Sequence, residues 1–136
     1  MTGTSLNIPE TWRSLASVRY IVDDVREAIE FYTTHLGFTV LTAFPPAFTD
    51  VARGPLRLLL SGPASSGAQA TPADVAGCGR NRIHLIVDDL DAERERLHRA
   101  GVVFRSDVVA GPAGRQILLA DPAGNLVELF TPATRD

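Results

Sequence analysis

Two short runs rich in β-branched and other apolar residues, Val18-Arg-Tyr-Ile-Val22 and Ile83-His-Leu-Ile-Val87, each read as a strand, and each is followed by a pair of aspartates. Beyond the aspartates the apolar spacing changes from two to three or four. Val25, Ala28 or Ile29, Tyr32 and Leu36 form one stripe that Gly37 stops; Leu90, Glu93/Arg94, Leu97 and Ala100 occupy the equivalent stripe before Gly101. Asp24 followed by Glu27 has the spacing of a helix N-cap and its third residue, so the first helix is expected from Val25 to Leu36.

The chain contains itself twice. Val18–Val25 lies over Ile83–Leu90 at a constant offset, and Leu58-Leu-Leu-Ser-Gly-Pro63 lies over Val127-Glu-Leu-Phe-Thr-Pro132. Between these anchors in the second copy stand Val102–Val109, Gln116–Ala120 and Leu126–Phe130, separated by Gly111-Pro-Ala-Gly114 and Asp121-Pro-Ala-Gly-Asn125; this predicts three strands after the helix. The expected fold is α+β: two βαβββ modules, residues 17–61 and 82–132, forming curved mixed sheets around a cavity with the helices on the outer faces. Residues 1–16 are read as an N-terminal extension, with Trp12 as a packing anchor. The Gly/Ala/Ser/Pro-rich segment 62–81 is read as a mobile linker.

Alternation along the strands assigns their faces. Val18, Tyr20, Val22, Leu56, Leu58 and Leu60 in the first module, and Ile83, Leu85, Val87, Val127 and Leu129 in the second, are expected beneath the helices. The opposite faces carry Ser17, Arg19, Ile21, Arg57, Leu59 and Ser61, and Arg82, His84, Ile86, Leu126, Glu128 and Phe130. A solvated face has no need of Leu59, Leu126 and Phe130, and a packed core tolerates charges only when they pair. A concave small-molecule pocket suits the mixture, and so does an interface between sheets or subunits carrying salt bridges.

Composition narrows the function classes. The 136 residues are 45% hydrophobic and 21% charged, an ordinary globular mixture, and the net charge of −3 argues against a nucleic-acid groove. There is no apolar run long enough to span a bilayer and no signal-peptide pattern, so a cytoplasmic protein without a membrane partner is expected. The single cysteine, Cys78, excludes an internal disulfide and a cysteine-based metal cluster and has no evident base beside it.

The run from Val22 to Phe38, Val-Asp-Asp-Val-Arg-Glu-Ala-Ile-Glu-Phe-Tyr-Thr-Thr-His-Leu-Gly-Phe, and the run Asp121-Pro-Ala-Gly-Asn-Leu-Val-Glu-Leu-Phe130, with the doubled module, resemble the vicinal oxygen chelate superfamily of glyoxalases, bleomycin-resistance proteins and extradiol dioxygenases. The resemblance covers about 17–132 and implies a homodimer, in some members with modules exchanged between chains. It also implies metal ligands on the first and last strands of each module. The matching positions here are Ser17, Leu59, Arg82 and Glu128, of which only Glu128 is a competent ligand. No metal or other cofactor is therefore expected, and an Arg82–Glu128 ion pair is expected where the metal would stand.

The remaining candidates are read as follows from their residue types and positions. His84 is a hydrogen-bonded wall residue or a proton shuttle, or a shifted metal ligand beside Glu128. Arg19 and Arg57 bind a ligand carboxylate or phosphate, or pair with neighbouring side chains. Phe44 and Phe48, flanking Pro45-Pro46, stack on a planar ligand or simply pack. The Arg94–Arg99 charge run is a solvated helix surface with intrahelical pairs. The function expected is a metal-free protein that binds a small organic molecule, like the drug-sequestering branch. The alternatives are a lyase, isomerase or dioxygenase, with an altered metal site or metal-free acid/base chemistry by His84 and Glu128, and a structural or regulatory dimer with a vestigial cavity.

Overall fold

A computed structural model describes residues 15–75 and 81–133. Trp12 and Cys78 lie outside the described residues. The first module runs β1 (Ala16–Ile21), α1 (Val25–His35), β2 (Thr39–Phe44), β3 (Phe48–Arg53) and β4 (Leu56–Ser61). The second runs β5 (Arg82–Ile86), α3 (Leu90–Arg99), β6 (Val103–Phe104), β7 (Val109–Gly111), β8 (Gly114–Ala120) and β9 (Leu126–Pro132). Their sheets are ordered β1-β4-β3-β2 and β5-β9-β8-β6, with β7 also on β8, so the parallel pairs β1/β4 and β5/β9 occupy corresponding edges. No helix among the described residues is long and apolar enough to cross a membrane.

Both main helices begin where the aspartate pairs predict. Asp24 accepts from the Glu27 N–H and Asp89 from the Ala92 N–H, which satisfies a first-turn donor in each. The helices cover Leu58, Leu60, Val51, Ile117, Val127 and Leu129, all at most 1% exposed. Val18 and Leu56, expected beneath α1, are partly buried and pack against the edge of this core.

Two stretches differ from the sequence reading. The strand expected over 102–109 is divided into β6 and β7, both on β8. At the break the Arg105 N–H donates to the Leu118 carbonyl while the Ser106 hydroxyl accepts from the Leu118 N–H, so a side chain takes the place of a ladder carbonyl. The supposed linker contains ordered structure: Ser65 caps a four-residue helix, α2 (Ser66–Gln69), by accepting from the Ala68 N–H, and a 3-10 turn follows at Ala73–Val75. α2 packs back onto β1, a long-range contact that composition does not encode.

Side-chain hydrogen bonds tie the modules together, among them those of Tyr20, Tyr32 and Asn125. The Tyr20 hydroxyl donates to the Leu126 carbonyl at 2.7 Å and accepts from the Ile83 N–H at 2.9 Å. The Tyr32 hydroxyl donates to Asp121 Oδ2 at 2.9 Å, and the Asn125 amide donates to the Ile21 carbonyl at 3.0 Å. Burial above all, and then the Asp121 carboxylate, hold Tyr32 well above its ordinary value of 10.0; burial also raises Tyr20, against the pull of the Ile83 N–H. In the unfolded chain both tyrosines ionise near pH ~10, whereas the fold keeps them protonated. Their contribution is therefore complete below about pH 10 and is lost as pH rises from there through the folded-state values. The thermal midpoint is expected to fall steeply above about pH 10, and Tyr32→Phe to start lower but fall less steeply. Equal alkaline slopes in the two proteins would remove Tyr32 as the cause.

Candidate ligand-binding face

The second sheet gathers its polar groups around Glu128. Parallel pairing sets His84 of β5 opposite Glu128 of β9, and Arg82 lies two residues earlier on the same face. Arg82 Nε donates to Glu128 Oε1 at 2.9 Å, so the ion pair expected at this position is present. His84 Nε2 stands 3.4 Å from Glu128 Oε2, and the imidazole lies against Phe130 with centroids 5.0 Å apart. The glutamate side chain is 10% exposed, but those of Arg82 and His84 are 36% and 46% exposed. The carboxylate is thus a shielded floor and the two basic groups are an accessible rim.

The first sheet holds a second charge pair, centred on a residue not singled out in the sequence. Asp50 of β3 stands opposite Leu59 and is fully buried. Arg57 Nε and Nη2 both reach Asp50 Oδ2 at 2.7 Å, while Oδ1 accepts from the Thr42 N–H at 2.8 Å, beside the irregularity in the β2/β3 pairing. Full pairing is what makes a carboxylate tolerable there. Parity along β3 carried the signal: once Phe48–Arg53 is a strand, Asp50 shares a face with Phe48, opposite the core residue Val51. The modules reverse this arrangement, since Leu59 of β4 faces Asp50 of β3 whereas Glu128 of β9 faces Leu118 of β8.

The sequence candidates therefore fall into two clusters. Arg82, His84, Glu128 and Phe130 share the second sheet. Ser17, Arg19, Arg57 and Leu59 share the open face of the first, Ser17 opposite Arg57 and Arg19 opposite Leu59. Phe44 and Phe48 pair across the β2/β3 hairpin, and Phe44 is 50% exposed. Where β1 and β5 meet, a cleft of about 470 Å³ opens, lined by Val18, Tyr20 and Leu56 on one side and by Asn81, Arg82, Ile83 and His84 on the other. The partly buried Val18 and Leu56 thus form an apolar wall leading to the Arg82–His84 rim. The Arg94–Arg99 run is on the surface of α3, with Arg96 on Glu93 and Arg99 on Glu95.

The donor set does not suit a divalent ion. Of Ser17, Leu59, Arg82 and Glu128, only Glu128 is a good ligand, and one of its oxygens already accepts from a permanently charged guanidinium. Among the described residues no three His, Cys, Asp or Glu side chains are grouped to hold one ion.

The fold is shared with solved structures. A lactoylglutathione lyase from Agrobacterium tumefaciens superposes with a TM-score of 0.70 at 21% identity, covering 86% of this chain and 92% of that one. TnmS3, an antibiotic-binding protein from Streptomyces sp. CB03234, matches with a TM-score of 0.67 at 26% identity over 95% of this chain and all of the other. The fosfomycin resistance protein FosX from Mesorhizobium loti gives 0.64 at 19% identity over 88% and 92%. No curated protein matches the sequence. A family model matches residues 14–129, nearly all of both modules, and the chain belongs to the Glyoxalase/Bleomycin resistance protein/Dioxygenase superfamily.

Proposed function

We propose that this chain is a cytoplasmic binding protein that holds a small, flat organic molecule on the open faces of its sheets, without a resident metal, as a homodimer. The observation that carries the reading is the Arg82–Glu128 pair at 2.9 Å, which engages the best candidate ligand of the superfamily's metal positions and leaves accessible polar groups beside an apolar wall. The likeness to an antibiotic-binding protein at 26% identity supports an antibiotic-like ligand. Phe44, Ile86 and Val109 are each at least 50% exposed, and a second copy is the occupant that would cover such side chains.

The second reading is metal-free acid/base catalysis, favoured by the approach of His84 Nε2 to Glu128 Oε2. A thermal-shift screen of antibiotics, aromatic acids and divalent metals, with elemental analysis of the purified protein, separates the readings. The binding reading expects the midpoint to rise with a planar organic ligand, by about 2.7 kcal/mol in stability at a hundredfold excess over Kd, with no change on adding chelator. Stoichiometric metal in the protein, or conversion of the stabilising ligand that His84→Gln abolishes, overturns it.

A further inference from the structure

Arg19 differs from the other arginines of the open faces. Arg57 engages Asp50 and Arg82 engages Glu128, but among the described residues no carboxylate pairs with Arg19. Its Nη1 donates to the hydroxyl of Ser61 at 2.9 Å, and Ser61 is fully buried. A guanidinium has five N–H donors, and a single hydroxyl leaves most of them open to water or to a ligand. Arg19 is exposed, but its side chain runs alongside α2. A methyl group at Gly67 would overlap Nη1 outright and stand 2.8 Å from both Cδ and Cζ. Gly67 has no positive φ that would call for glycine, and every atom within reach of an added methyl belongs to Arg19, so a larger residue there would push the guanidinium aside.

We infer that Arg19 is the anchor for an anionic group of the ligand, and that Gly67 leaves the room its side chain occupies. This deepens the binding reading above and rests on it. The ligand class is a small organic anion, its oxyanion on the unpaired guanidinium and its flat apolar body along Leu59 toward Phe48, both half-buried on the same face. α2 is then a wall of the site, and Gly67 within it leaves space for the charged group.

Matched pairs test this: benzoate with benzamide, and 2-naphthoate with 2-naphthamide, titrated by calorimetry into the full chain. The wild type is expected to prefer each carboxylate over its amide by about tenfold or more. Arg19→Gln is expected to bring that ratio to about one, and Gly67→Ala to lower it with the arginine still present. Arg94→Gln, on the far surface of α3, keeps the ratio and controls for bulk charge. A purely structural role for Arg19 changes the affinity for both members of a pair equally, so the ratio reports anchoring even if a variant is less stable. Amide binding without a carboxylate preference, or a preference that survives both Arg19→Gln and Gly67→Ala, overturns the anchor but not the binding reading. Failure of all four compounds to bind at millimolar concentration counts against both.

Discussion

Asp121→Ala is expected to destabilise the chain by about 3–5 kcal/mol, measured by urea denaturation, a larger loss than most single substitutions cause. The Asp121 carboxylate is nearly inaccessible and accepts four hydrogen bonds. These come from the Tyr32 hydroxyl at 2.9 Å, the Ala123 N–H at 3.0 Å, the Asn125 N–H at 2.7 Å and the Asn125 amide at 3.0 Å. The Asn125 amide also reaches the Ile21 carbonyl, so one side chain orders the β8–β9 turn and joins it to both α1 and β1 of the other module. Deleting it leaves a buried phenol and turn donors unsatisfied, each costing about 1–3 kcal/mol. Asp121→Asn retains one acceptor oxygen but turns an N–H₂ group toward some of these donors, and should lose roughly half as much. A loss below about 1 kcal/mol for Asp121→Ala would show that water replaces the carboxylate, and that the turn does not hold the modules together.

This network marks the limit of what the sequence reveals. The doubled module, the helix caps at Asp24 and Asp89 and the face of each residue on β1, β4, β5 and β9 are legible because they follow from local period and from self-similarity. The Asp121 turn is visible as a motif, but its partner Tyr32 reads only as a core residue on the helical stripe. Periodicity says that a side chain points inward without saying which distant donor or acceptor it meets. The same limit hid the β1–β5 cleft and the fold-back of α2 onto Arg19, both of which join segments far apart in sequence. Asp50 was hidden differently: β2 and β3 follow one another around a tight turn, and without an assigned strand the parity of an isolated acid is undefined. On the site, the Arg82–Glu128 pair was legible because the superfamily resemblance sets both residues at metal-ligand positions, where opposite charges would meet; no local pattern names a ligand.

The substitution Arg82→His is expected to create a divalent metal site in a protein proposed to have none. Arg82, His84 and Glu128 already form a compact cluster, with Arg82 Nε 2.9 Å from one carboxylate oxygen and His84 Nε2 3.4 Å from the other. The distal nitrogen of a histidine reaches about as far from the backbone as the Nε of an arginine, so the new imidazole would stand near the same carboxylate oxygen. Two neutral imidazoles and a carboxylate form a sufficient set for zinc, with water completing the tetrahedron. The exchange also removes the fixed positive charge that repels a cation there. Calorimetric titration should show zinc binding to the variant at one equivalent per chain, absent from the wild type and lost again when Glu128→Gln is added. At a hundredfold excess of free ion over Kd the variant should gain about 2.7 kcal/mol of stability. If it binds no zinc while remaining folded, the guanidinium is not what keeps metal out, and the cause lies in the placement of Glu128 itself. Zinc binding confined to the variant would instead identify Arg82 as the side chain that separates this binding face from a metal centre.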